Sequence, residues 1–217
     1  MTCRLSRRRA SALAALPMLF PFAAAAAPDL PPADGSTQFV DAALHDTIEA
    51  LGAPAPARSE QLRAVFARYV DVAQLGRNCV GSAWLLVGPE QQAAFLVTFE
   101  SFLITGYGGS LGQPGTVSFG PAQVVEPPSS VPPSEREHRS FVRVEARGKD
   151  GPPHPVLLTL ERRDDGSYRI VDISAQSVSL GRTLAADFGG FLSHNGGRLE
   201  ALMGALRQKI AARSTSQ

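Results

Sequence analysis

From Phe39 to Leu103 apolar residues recur every three or four positions; from Val117 to Ile173 they alternate or run together; beyond Leu180 the longer period returns. In "STQFVDAALHDTIEALG", Phe39, Ala43 with Leu44, Thr47 with Ile48, and Leu51 fall on one helical face, and Gly52 supplies a stop. After the Pro-rich break "APAPA", Ser59 is the expected N-cap of a helix with Leu62, Val65, Phe66, Tyr69 and Val70 turned inward. Asp71 opens a short helix, "VAQLGRNCV", that Gly81 ends. Pro89 suits a first helical position with Glu90 in the first turn, and Phe95, Phe99, Phe102 and Leu103 make a buried stripe.

Four stretches then read as strands: "TVSFGPAQVVE", "SFVRVEARG", "PVLLTLERR" and "SYRIVDISAQSVSL". Asp164–Gly166 is a tight hairpin turn, and Pro127–His138 a Pro-rich loop. "LGRTLAADFGGFLSHNGG" and "RLEALMGALRQKIAAR" return to helical spacing. Helices, four strands, then helices predict a segregated α+β domain over 36–212, with helices on an antiparallel sheet. A flexible leader is expected over 27–35 and a disordered tail over 213–217.

The N-terminus changes the charge picture. "MTCRLSRRRA", the apolar "SALAALPMLFPF" and "AAAAAP" are the three parts of a cleavable secretory signal over 1–26. The apolar run is too short, and too broken by Pro17 and Pro21, for a membrane span. Removing it takes four arginines and no acid, leaving 17 basic against 20 acidic residues, a charge near −3. A slightly acidic exported protein is a poor partner for nucleic acid. Cys3 leaves too, so Cys79 stands alone without a disulfide.

Candidate chemistry is sparse. Gly108-Gly109-Ser110-Leu111-Gly112 spells G-x-S-x-G, the nucleophile-elbow pattern, and Asp172 and His194 would complete a Ser…Asp…His order. That elbow needs a strand before the serine and a helix after it; here a helix precedes and a strand follows. Helix exit is the better account of the glycines, and no enzyme is predicted. No P-loop or dinucleotide fingerprint is present. His45, His138, His154 and His194 show no metal-ligand spacing, and neither metal nor cofactor is predicted. Cys79 reads as a small core residue, and Asp172 as a hydrogen-bonded rather than a catalytic acid.

"YVDVAQLGRNCVGSAWLLVGPEQQAAFLVTFESFLITGYGGSL" and "GSYRIVDISAQSVSLGRTLAADFGGFLSHNGGRLEALMGAL" together resemble the toluene-tolerance or MlaC family of periplasmic phospholipid-binding proteins. The matching positions are Asp71, Gly81, Trp84, Pro89-Glu90-Gln91, Phe95, Phe99 and Tyr107, then Tyr168, Val171-Asp172-Ile173, Val178-Ser179-Leu180, Phe188, Gly196-Gly197 and Leu199 to Leu206. The chain departs from the family at Ser177, usually Gly, and at Leu184-Ala185, usually a Tyr/Gln-Arg pair.

The resemblance implies an NTF2-like fold whose curved sheet and helices enclose an apolar cavity. It implies a phospholipid or related amphipathic lipid as cargo, with an inner-membrane ABC transporter bearing a ring-shaped periplasmic subunit, and an outer-membrane lipoprotein complex, as partners. A hopanoid-associated HpnM-like branch shares most of the pattern, so a different lipid, or a scaffold role without cargo, is the alternative. The lipid-contact candidates are Trp84, Phe95, Phe99, Leu103, Tyr107, Val142, Val144, Leu158, Leu160 and Phe188.

Overall fold

A computed structural model describes residues 35–107, 117–129, 131–148 and 151–214. The expected signal segment and most of the leader lie outside them. Helices α1 (Ser36–Gly52), α2 (Ala55–Tyr69), α3 (Val72–Val80) and α4 (Pro89–Tyr107) come first, with a 3-10 turn over Gly81–Leu86 between the last two. Strands β1 (Val117–Phe119), β2 (Gln123–Val124), β3 (Arg139–Gly148), β4 (His154–Arg162), β5 (Tyr168–Ala175) and β6 (Val178–Ser179) follow, and α5 (Leu180–His194) and α6 (Leu199–Ser214) close the chain. The sheet is antiparallel, in the order β1-β3-β4-β5-β6, with β2 also on β3. The segregated α+β arrangement is the one the apolar spacing predicts.

Details differ from the expectation for local reasons. Helix α2 starts at Ala55 behind Pro54 rather than at Ser59, because proline's fixed φ suits a helix entrance. "TVSFGPAQVVE" makes two short strands, split where Pro121 has no N–H to give the ladder. The last stretch folds on itself: Gln176 and Ser177, at φ 50° and 66°, turn β5 back into β6. Helix α6 runs to Ser214, so Arg213 and Ser214 of the expected tail are helical.

Two main cores result. The even-numbered face of β3 and β4 (Val142, Val144, Leu158, Leu160) packs with Tyr168 and Ile170 against Val40 and Ala43 of α1 and Tyr69 of α2. The second core lies within the helical layer, where Phe95, Phe99, Phe102 and Leu103 of α4 meet Leu75 and Cys79 of α3, Leu184 and Phe188 of α5, and Leu199 to Leu206 of α6. A smaller cluster of Ala50, Leu51, Leu62 and Ile104 ties α1 and α2 to α4.

Candidate functional site

Strand side chains alternate between the two faces of a sheet, so burying Val142 and Val144 against α1 turns Phe141, Arg143 and Glu145 the other way. In β5 the alternation is broken. Leu160 pairs with Ile170 and Thr159 with Asp172, leaving Val171 as a bulged residue. Tyr168 and Ile170 therefore face the α1–α2 core while Val171 and Asp172 face the opposite side. Together with Pro155, Leu157, Thr159 and Ser174 these residues floor a cleft of about 1090 Å³. Its walls are Gln74, Leu75 and Asn78 of α3, Gly181, Arg182 and Ala185 of α5, and the Pro-rich segment at Val125, Glu126, Pro128, Val131 and Pro132. Two other grooves, between α1 and α2 and between α4 and α6, are smaller, at about 520 and 620 Å³.

An aspartate pins each helical wall to the sheet. Asp71 caps α3, its Oδ1 accepting from the Gln74 backbone N–H at 2.8 Å. Its Oδ2 accepts from Arg163 Nη2 at 2.6 Å, and the Asp71 N–H donates to the Ile170 carbonyl at 2.9 Å. A third tie runs from Gln74 Nε2 to Glu161 at 2.8 Å. At α5, Ser179 is the N-cap: its Oγ accepts from the Arg182 N–H at 3.0 Å and donates to Asp172 Oδ2 at 2.6 Å. Asp172 Oδ1 accepts from the Gly181 N–H at 2.9 Å. A Cβ at Gly181 would stand 3.1 Å from that carboxylate oxygen and 3.2 Å from Leu75 Cδ1, so glycine is what admits this close approach. With both oxygens engaged, Asp172 is a structural acid that sets the helix on the sheet.

Nine of the ten residues singled out from the sequence fall elsewhere. Trp84, half-buried, stands edge-on to Phe95 at 6.3 Å; Phe95 stacks on Phe99 at 5.6 Å; Phe99 meets Phe188 edge-on at 6.0 Å. Leu103 joins them in the helical core. Val142, Val144, Leu158 and Leu160 lie together in the core under α1 and α2. None of these nine lines the cleft. Tyr107 ends α4, and its side chain lies outside the described residues, as does Ser110. The cleft residues that the apolar pattern passes over are Phe141, Leu157 and Val171, which share their face with Arg139, Arg143 and Glu145. That mixture was the available signal: one strand face apolar through its middle, the other part greasy and part charged.

Titration adds little chemistry. Burial pushes the Cys79 thiol up to about 12, with a smaller contribution from the Asp172 charge, and its Sγ lies 3.8 Å from the Gly181 carbonyl. Such a thiol is no nucleophile at neutral pH. Tyr69 is also raised, first by burial and then by its 2.6 Å hydrogen bond to Asp46. His154 contacts Gln176 and His194 contacts the Gly190 carbonyl, far apart in the chain. His45 does gather with Asp46 and Glu49, within 4.8 Å of one another on α1, where spacing alone predicts no ligand group. Asp46 is already engaged by Tyr69 and Arg68.

No helix of the described residues is long and apolar enough to cross a membrane. Comparison with curated proteins gives no match. Among solved structures, a phospholipid-binding protein from Ralstonia solanacearum in complex with a phospholipid is similar in fold, with a TM-score of 0.66 at 19% identity, covering 82% of this chain and 98% of that one. A family model described as MlaC protein matches residues 36–208, from the first turn of α1 into the last helix. Most of the described fold falls inside that match: the chain belongs to the MlaC family.

Proposed function

We propose that this protein is a lipid carrier of the periplasm: it takes up a phospholipid with the acyl chains in the cleft and ferries it between outer-membrane and inner-membrane complexes. The observation that carries the reading is the cleft itself, open to solvent, floored by Phe141, Leu157 and Val171, and set in a fold shared with a protein seen holding a phospholipid. Its size suits the cargo. At about the 30 Å³ that a water occupies, the roughly 30 methylenes of two sixteen-carbon chains need on the order of 900 Å³, against about 1090 Å³ present. Leu75 belongs both to the cleft wall and to the helical core, so chain ends pressing past it would meet the aromatic ladder of Phe95, Phe99 and Phe188.

Energetics give such a carrier its purpose. Exposing those methylenes to water costs on the order of 20 kcal/mol at ~0.8 kcal/mol each, so unaided crossing of an aqueous space is negligible. Side chains in the cleft replace water around the tails while the head group stays hydrated. Release needs no covalent step, only a receiving site of higher affinity, or one driven by a transporter's ATP. In this reading the receivers are an outer-membrane lipoprotein complex and an inner-membrane ABC transporter with a ring-shaped periplasmic subunit, and the N-terminal signal directs export.

Native mass spectrometry of the purified protein is the test. Adducts of phospholipid mass, removed by organic extraction and regained from vesicles, are the expected result. Leu157→Trp, which fills the floor of the cleft, should lower that uptake about tenfold or more while leaving the melting temperature close to wild type. Absence of bound lipid together with no uptake from vesicles overturns the reading.

A further inference from the structure

The two most exposed large apolar side chains among the described residues are neighbours: Leu85 is 81% and Leu86 76% exposed. Single exposed leucines are ordinary on a protein surface, but an adjacent pair held outward by structure is not. They stand on the 3-10 turn Gly81–Leu86, and that turn is firmly built. Ala83 is buried, and the Trp84 ring packs edge-on to Phe95 at 6.3 Å. Gln92 Nε2, from the first turn of α4, donates to the Trp84 carbonyl at 3.0 Å and to the Val87 carbonyl at 3.3 Å. These bonds bracket the two leucines, so their backbone is fixed while their side chains meet water. No charged residue stands between Arg77 and Glu90 in the chain. The turn also follows directly on α3, whose Gln74, Leu75 and Asn78 wall the cleft.

From this we infer that Leu85 and Leu86 are a membrane-docking tip: they dip into the upper acyl region of a bilayer, with Trp84 at the interface, and bring the α3 wall of the cleft to the lipid surface. The inference goes beyond the carrier reading, which needs a cargo but no bilayer contact. Area decides between a bilayer and a protein as the occupant. A stable protein interface takes roughly 800 Å² and about 20–30 residues from each partner, whereas this tip offers two side chains and part of a third on a short turn. A bilayer needs no matching surface; it favours each apolar group that leaves water and opposes each charge carried in. The uncharged stretch suits that demand, and so does a tryptophan, whose ring joins an apolar body to an indole N–H. Arg77 and Glu90, both exposed, bound the stretch with opposite charges, so the contact needs no anionic lipid. Two leucines make a weak and reversible contact, which lets the protein leave the surface again.

Trp84 is the chain's single tryptophan, so its fluorescence reports on the tip. The test titrates the mature protein with dioleoyl phosphatidylcholine vesicles, plain or brominated on the upper acyl chains, then floats the vesicles away and reads the protein left behind. Emission should shift to the blue, be quenched by the brominated vesicles, and recover once they are removed. Leu85→Ser with Leu86→Ser should lower vesicle partitioning about tenfold or more, with the melting temperature close to wild type. Val97→Ser on α4, which removes the next most exposed large apolar side chain, should leave partitioning unchanged. Absence of quenching in the wild type, undiminished partitioning of the leucine variant, or an equal loss in Val97→Ser overturns the tip. So does a dimer in sedimentation velocity that the leucine variant abolishes, since the pair would then be a contact between copies. Quenching that persists after the vesicles are gone puts bromine on bound cargo beside Trp84, which overturns the tip and supports the carrier reading. Reversible docking by a protein that carries no lipid away, read by native mass spectrometry, sinks the carrier reading and leaves the tip in place.

Discussion

The two faces of the β3–β4 ribbon come from the same two strands, of 10 and 9 residues, and have opposite fates. On the face under α1 and α2, Val142 and Leu160 are 0% exposed and Val144 is 1%. On the other, Phe141 and Thr159 are buried, Leu157 is half-buried, and Arg143 and Glu145 are open to water. Strand alternation alone decides which residue goes where. What differs is the partner: helices cover the middle of one face, while on the other α3 and α5 are held at the rim by Asp71 and Asp172 and leave a gap. A purely apolar face therefore marks a finished core, and a mixed one marks a surface kept for something else.

The sharpest way to break this contrast is to truncate one leucine on each face. Leu160→Ala should cost about 2–5 kcal/mol, since its cavity cannot collapse among Val40, Val142 and Tyr69. Leu157→Ala should cost less than that, because the side chain keeps part of its surface toward the open cleft and loses less buried area on truncation. Urea unfolding with unchanged m-values reads both. Equal losses would mean that the cleft face is core after all.

A pin of the cleft comes next in size. Asp172→Ala strips the acceptor from the Ser179 hydroxyl and the Gly181 N–H together, at about 1–3 kcal/mol. Asp172→Asn, which keeps one carbonyl oxygen, should recover part of the loss. Lipid uptake should fall with Asp172→Ala, because α5 is then no longer held at the rim. A variant that loses stability but retains full uptake would separate the pin from the site.

Much of this architecture was legible in the chain. Asp71 caps α3, Gly81 ends it at φ 55°, and Pro89 opens α4, each as local chemistry dictates. The hairpin at Asp164–Gly166 also formed, with the Arg163 N–H donating to Ser167 at 2.8 Å and Gly166 at φ 80°. The cleft was not legible, and the reason is physical. Alternation at Val142/Val144 and Leu158/Leu160 identifies a greasy face but says nothing of whether helices or a ligand will cover it. The reversal at Val171 was hidden too, since a bulge exists only relative to a partner strand, here Thr159 and Leu160 of β4. Trp84 and the phenylalanines were visible as an apolar stripe, and only packing shows that they fill one another's space.

Alkaline titration probes how dry the helical core behind Leu75 is. Cys79 ionises near 9.0 when unfolded and is pushed up to about 12 in the fold, mainly by burial. The folded state thus holds the proton more tightly, so the thiol's contribution is fully present below pH 9 and is lost as the pH climbs from there toward 12. Wild type should lose stability relative to Cys79→Ala over that window, by up to about 1.4 kcal/mol per pH unit. At pH 8 a thiol reagent should modify the native protein far more slowly than the urea-unfolded chain. Rapid native labelling would show that water reaches this core.

The smallest effect concerns the turn at the cleft rim, and it has the opposite sign. Both hairpins flanking β5 need residues at positive φ, but the β4–β5 turn places Gly166 there while the β5–β6 turn uses Gln176 and Ser177. Ala175 pairs with Val178, so those two residues form the whole loop, a primed turn in which Asn-Gly is the comfortable sequence. A left-handed conformation costs a side-chain-bearing residue roughly 1–2 kcal/mol, and glycine gives back part of the gain through its freer unfolded state. Ser177→Gly should therefore raise stability by about 0.5–1 kcal/mol, whereas Gly166→Ser should lower it by a similar amount. Because Ser177 also lines the cleft, the same variant compares rim and floor: unchanged phospholipid uptake leaves cargo contact with the floor, and altered uptake moves part of it to the turn.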